Sequence, residues 1–131
     1  MLKPIALAAC AIALFAATTA PALAAEAKPA PKANQCFWAR SANGFAAADD
    51  RAVNIRVGVR DVYRFEFMGS CPDIDWTNSL ALVSHGSDFI CTGMDADIVT
   101  PSTIGPQRCP VRSVRKLTPD EIAALDKRAR P

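Results

Sequence analysis

The sequence predicts a mainly β protein. We expect a small curled antiparallel sheet or barrel of about six or seven short strands, with one C-terminal helix and two disulfides. Three observations carry this. Residues 52–68, "AVNIRVGVRDVYRFEFM", alternate throughout: Val53, Ile55, Val57, Tyr63, Phe65 and Phe67 share one parity, and Asn54, Arg56, Arg64 and Glu66 share the other. Period-two alternation means a sheet with one buried and one wet face. Four cysteines, Cys36, Cys71, Cys91 and Cys109, lie in a chain that begins like an exported one. Thr118-Pro119-Asp120-Glu121 spells a helix start, with Thr at the N-cap, Pro at the first helical position and Glu at the third.

Taken in order, Lys3 gives a short positive start, and an apolar run follows from Ile5 to Ala17. That run is about 13 residues, shorter than the roughly 20 needed to span a bilayer. Ala22-Leu23-Ala24 then fits a small-x-small cleavage site. Residues 1–24 read as a secretory signal peptide, which makes the protein periplasmic or secreted and leaves no transmembrane segment in the mature chain. Leu7-Ala8-Ala9-Cys10 offers the alternative of a lipoprotein anchored through Cys10, although the apolar run continues past that cysteine. Residues 25–34, "AEAKPAPKAN", lack large apolar side chains and read as a disordered spacer. Residues 35–128 are left as a single disulfide-stapled domain with a modest core.

Within it, "CFWAR" (36–40) is a short aromatic strand, and Asn43-Gly44 in "SANGFAAADDRA" reads as a turn. Gly58–Asp61 turns the alternating segment into a hairpin. Residues 69–79, "GSCPDIDWTNS", form a loop. "LALVSHGSDFICTG" (80–93) reads as a second hairpin about Gly86-Ser87. Residues 94–100 predict a further strand ended by Pro101, and 109–117 the last one. The helix spans about 118–128, with Leu117 and Ile122 as a staple pair and with Ile122 and Leu125 packed on the sheet.

Of five cysteines, Cys10 falls in the predicted leader; the even number that remains in an exported chain reads as two disulfides formed in an oxidising compartment. Thiolate zinc sites bring their ligands in close pairs. Here the intervening stretches are 34, 19 and 17 residues, and His85 is the sole histidine. Four cysteines allow three connectivities, and spacing does not select one. The likeness of "QCFWARSA" (35–42) to "RCPVRSV" (108–114) favours Cys36–Cys109 with Cys71–Cys91, a bridge between the starts of the first and last strands.

The segments "CFWARSANGF", "DDRAVNIRVGVRDVYRFEF", "GSCPDIDW", "GSDFICTG" and "GPQRCPVRSVRKLTPDEIAAL" together resemble a family of small exported proteobacterial proteins, the domain of unknown function 6491. The resemblance covers about residues 35–126. Its skeleton falls on Cys36, Asp49-Asp50, Cys71-Pro72, Cys91 and Cys109. It implies that the four cysteines belong to the scaffold, and it implies no activity.

No catalytic set, metal or cofactor is expected. Ser84-His85-Gly86-Ser87-Asp88 has the residue types of a hydrolase triad, but they straddle one tight turn, with no G-x-S-x-G elbow. A polar hairpin tip with a His85–Asp88 contact is the expectation. Asp73-Ile74-Asp75 and Asp95-Ala96-Asp97 are both D-x-D, yet neither continues into a calcium loop. Asp95 and Asp97 sit at strand alternation and are expected to face water together.

Charge is uneven. Without the leader the chain has 14 Lys and Arg (15 less Lys3) against 13 Asp and Glu, but residues 108–131 hold seven bases and three acids. Arg112, Arg115 and Lys116 are the candidate binding residues, and Arg40 and Arg56 are expected to join them if the last strand lies beside the first hairpin. Such a patch attracts an anionic envelope component or another periplasmic protein. Nucleic acid is excluded as a partner, because the chain reads as exported and its aromatics fall on the buried parity. The function expected is a small non-enzymatic periplasmic protein of structural or binding type. The alternative is a small enzyme or small-ligand carrier with a pocket in the curled sheet, lined by Trp38, Tyr63 and Trp76.

Overall fold

The computed structural model describes residues 35–91 and 93–131. The predicted leader, Cys10 and the predicted spacer lie outside the described residues. The architecture is the expected one: a six-stranded curled antiparallel half-barrel, a two-stranded ribbon, one short C-terminal helix and two disulfides.

Strands β1 (Phe37–Trp38), β2 (Ala42–Asp49), β3 (Ala52–Val57), β4 (Asp61–Phe67), β5 (Ala81–Ser84), β6 (Phe89–Ile90), β7 (Ala96–Ser102) and β8 (Gly105–Lys116) precede helix α1 (Pro119–Ala124). The large sheet runs β2-β3-β4-β8-β7-β5, and β1 pairs only with β6. β8 is the spine. Its first half pairs with β7, from Ser102↔Gly105 to Asp97↔Pro110. Its second half pairs with β4, from Phe67↔Val111 to Tyr63↔Lys116. Within that second half, between Phe67↔Val111 and Glu66↔Ser113, the register slips by one residue, so Arg112 is an extra residue in β8. A bulge of this kind bends a strand and re-aims a side chain. Gly93 packs here against the backbone of Arg112 and Ser113, closer than any Cβ would permit.

The buried half of the alternation was read correctly, but the other half is not wet throughout, since Asn54 is buried too. Val53, Ile55, Val57, Tyr63, Phe65 and Phe67 are all buried. They meet Ile98 of β7, Val111 of β8 and Ile74 of the 69–79 loop in one core. The ribbon follows the same rule. Phe37 and Ile90 enter that core, with the Phe37 ring 4.4 Å from Tyr63 and 6.1 Å from Phe65. Burial raises the Tyr63 phenol above its ordinary pKa, while Lys116 nearby opposes the shift.

Several local expectations are corrected. Asn43-Gly44 is no turn. It lies in β2, where Asn43 is a bulge residue whose amide donates to Gly58 O at 2.6 Å. The segment 80–93 is no hairpin, because β5 pairs with β7 and β6 with β1. The turn at Gly86 instead carries the chain from one sheet to the other. Pro101 lies inside β7, opposite Pro106. The helix is shorter than expected and buries no residue fully. Ile122 and Leu125 are half-buried, and a separate 3-10 turn, Lys127–Ala129, follows. The capping box is present: Thr118 Oγ1 accepts from Glu121 N at 3.2 Å, and Glu121 Oε2 accepts from Thr118 N at 2.8 Å.

The disulfide pairing is also corrected. The bridges are Cys36–Cys91 and Cys71–Cys109, not Cys36–Cys109 and Cys71–Cys91. Strand pairing is the reason. Cys36 and Cys91 each stand one residue outside the Phe37↔Ile90 pair, so their bond forms the next rung of the ribbon. Cys71 is buried in the loop after β4 and bonds to Cys109, buried in β8.

Candidate functional site

The outer face of the half-barrel carries the basic residues. In register across it lie Asn54 of β3, Arg64 of β4 and Arg115 of β8. Arg64 and Arg115 are thus directly opposed, a repulsive cross-strand pair on its own. Glu121 relieves it: Arg115 Nη1 donates to both Glu121 carboxylate oxygens, at 2.7 and 2.9 Å. The Thr118 amide first, then the Arg115 guanidinium, hold the Glu121 carboxyl below its ordinary pKa.

The other candidates are placed one by one. Arg112, on the bulge, approaches Glu66 Oε2 at 3.7 Å, and Ser113 Oγ donates to the same oxygen at 2.8 Å. Lys116 lies 2.9 Å from Asp61 Oδ2, a hydrogen bond that raises the lysine pKa. Arg56 lies on the same outer parity of β3, opposite Val62. Arg40 does not join them: its guanidinium lies over the Trp38 ring on the ribbon, 4.8 Å from the centroid. The last strand does lie beside the first hairpin, as the clustering required, with β4 rather than β3 as its neighbour.

What the sequence did not show is a shallow cleft on this face, about 180 Å³, lined chiefly by Asp49, Arg51, Arg64, Glu66 and Arg112. Three guanidiniums face two carboxylates. Asp49 is already engaged by the backbone amide of Arg51, at 2.7 Å. Among the described residues neither Arg51 nor Arg64 has a carboxylate at salt-bridge distance. Arg51 lies in the tight β2–β3 turn and Arg112 on the bulge of β8. Two backbone irregularities, invisible to period-two reading, turn these side chains toward Arg64.

The remaining motifs are structural. His85 Nε2 lies 3.1 Å from Asp97 Oδ2, and Arg108 Nη1 donates to the same oxygen at 2.8 Å. The expected His85–Asp88 contact gives way to this one, and Asp97 is buried rather than turned to water. Asp88 accepts from Ser84 Oγ at 3.4 Å. Asp95 Oδ2 accepts from Cys91 N at 2.8 Å. Trp38, Tyr63 and Trp76 do not line one pocket, because Tyr63 is in the core while both tryptophans are exposed.

Fold and site together define a class: a small β half-barrel stapled by two disulfides, with an arginine-lined outer face and an apolar core. The chain belongs to the Family of unknown function (DUF6491), whose profile matches residues 1–131. No curated protein and no solved structure matches it. The disulfides are compatible with an extracellular or periplasmic location. Among the described residues no helix is long and apolar enough to cross a membrane.

Proposed function

We propose that this protein is a non-enzymatic binding module of the cell envelope, and that its outer face holds an anionic envelope component. The observation that carries this reading is the cleft in which Arg51, Arg64 and Arg112 outnumber Asp49 and Glu66. Guanidiniums bind phosphate and carboxylate oxygens in pairs, and a cleft of this size admits one such group. Arg115, in register with Arg64, lies beside it but is neutralised by Glu121, so it adds field rather than a free fork. Lys116 is in register with the core residue Tyr63, on the other parity of β8, and is paired with Asp61. Export past residue 24 would place this face where anionic lipids and polymers lie.

Sedimentation with lipid vesicles tests the reading. The mature protein is expected to bind phosphatidylglycerol vesicles and not phosphatidylcholine vesicles, and to release as salt shortens the screening length to below about 10 Å. Replacing Arg64→Gln together with Arg112→Gln should weaken binding by about tenfold or more while the thermal transition is kept. Equal binding by wild type and double variant, or binding indifferent to lipid charge, would remove this face from the function.

A further inference from the structure

A second concave feature lies away from the arginines, where the 69–79 loop meets the β7–β8 turn. It is an open groove of about 490 Å³, within the roughly 300–1,000 Å³ usual for small-molecule sites. Asp73, Trp76, Asn78, Ser79, Pro101 and Thr103 line it. Trp76 is 83% exposed. An indole left that far in water on a small domain forgoes burial that the rest of the core exploits, so it invites a partner.

The loop that presents it is fixed rather than loose. Cys71 is bonded to β8, and its amide donates to Asp50 O at 2.7 Å. Ile74 is buried. The amides of Trp76 and Thr77 both donate to Asp73 O, at 3.1 and 3.0 Å. Asp73 itself holds a positive φ of 64°, a conformation uncommon outside glycine that Asp and Asn tolerate best. The indole is therefore held in place before any ligand arrives, which lowers the ordering cost of binding.

The polar lining divides in two. Thr77 Oγ1 donates to Ser79 O at 2.6 Å and Ser102 Oγ to Gly105 O at 2.7 Å, so these hydroxyls are spent on the loop. The side chains of Asp73, Asn78, Ser79 and Thr103 have no hydrogen-bond partner among the described residues. Free in the groove are thus a carboxylate, an amide, two hydroxyls and one flat aromatic face, with Pro101 as a second apolar surface. No lysine or arginine lines it, so the groove does not suit an anion. A carboxylate and an amide pair with vicinal hydroxyls, and an indole face packs against the C–H face of a pyranose ring.

From this arrangement we infer that the groove binds an uncharged saccharide, with one pyranose ring stacked on Trp76 and its hydroxyls bonded by Asp73 and Asn78. The test is a titration of the mature protein with chitotriose, cellotriose and maltotriose, followed through the two tryptophan indole N–H signals in the nitrogen–proton correlation spectrum. The Trp76 signal is expected to shift and saturate with at least one of these sugars while the Trp38 signal stays put. Trp76→Ala and Asp73→Asn should each weaken binding by about tenfold, read from the saturable backbone shifts of the loop. Both leave the fold intact, since the first side chain is exposed and asparagine accepts the same backbone angle. No shift with any of the three sugars, a shift at Trp38 instead, or unchanged affinity in Trp76→Ala overturns the inference.

Discussion

Gly93 shows how much one residue decides. A methyl group there would run into the Arg112 carbonyl and the Ser113 amide, backbone atoms of the spine strand that no rotamer change can clear. Gly93→Ala must therefore push β8 away from its bulge, at a cost of about 3 kcal/mol. A thermal melt should show a drop of many degrees, while Gly69→Ala, with open space around it, should leave the midpoint nearly unchanged. Comparable midpoints for the two variants would mean that this contact does not hold. Asn54 shows the limit of reading residues singly. Alternation gave it to the wet face, yet it is 0% exposed. Its side-chain amide donates to Ala129 O at 2.8 Å, and its Oδ1 finds no partner among the described residues. The segment that covers it comes from the far end of the chain, so nothing within hydrophobic-pattern range of Asn54 records the burial.

Elements differ in how plainly the sequence announces them. The helix start was legible because a capping box is a local device: four consecutive residues supply both reciprocal bonds. Its length was not, because α1 buries nothing fully and stops where Arg130 reaches back to the carbonyls of Ala123 and Leu125, at 2.8 and 3.0 Å. β2 was missed for the opposite reason. "ANGFAAAD" has weak strand preference, and the segment is a strand only because β3 offers a ladder and two bulges absorb its misfit. The helix also makes a pH prediction. Glu121 has a folded pKa below its ordinary value, so its contribution is complete above the ordinary glutamate range and is lost as pH falls through the folded pKa. Protection factors for amide exchange at Glu121, Ile122 and Leu125, taken relative to the intrinsic rate at each pH, should fall on acidification, and Thr118→Ala should lower them likewise at neutral pH, by about 1 kcal/mol locally. Because the helix is exposed, the global midpoint should barely move in either case. Protection that is indifferent to both changes would show that the capping box does not hold the helix.

At the scale of the molecule, composition and alternation sufficed for the class of fold but not for its connections. The two cysteine-led segments were matched by their local likeness, as though the first strand closed against the last. The chain instead sets its first strand against β6 and leaves β8 to join the two halves of the half-barrel. Only this long-range order chooses among the three disulfide pairings, and no short window of sequence contains it. The resulting bridges differ in kind. Cys36 and Cys91 are half-buried and brace a ribbon of just two residue pairs. Cys71 and Cys109 are buried in the core and tie the groove-bearing loop to the spine. A reductant reaches the first bond in the native state, whereas the second must wait for opening of the core. Mild reduction without denaturant, followed by alkylation and peptide mass mapping, should therefore label Cys36 and Cys91 well before Cys71 and Cys109. Replacing Cys71 and Cys109 together by serine should cost about 4 kcal/mol from loop closure alone, with added loss from placing hydroxyls at buried positions. Early labelling of Cys71 with Cys36–Cys91 intact would contradict this order, and with it the assignment of the buried bridge as the staple on which the loop depends.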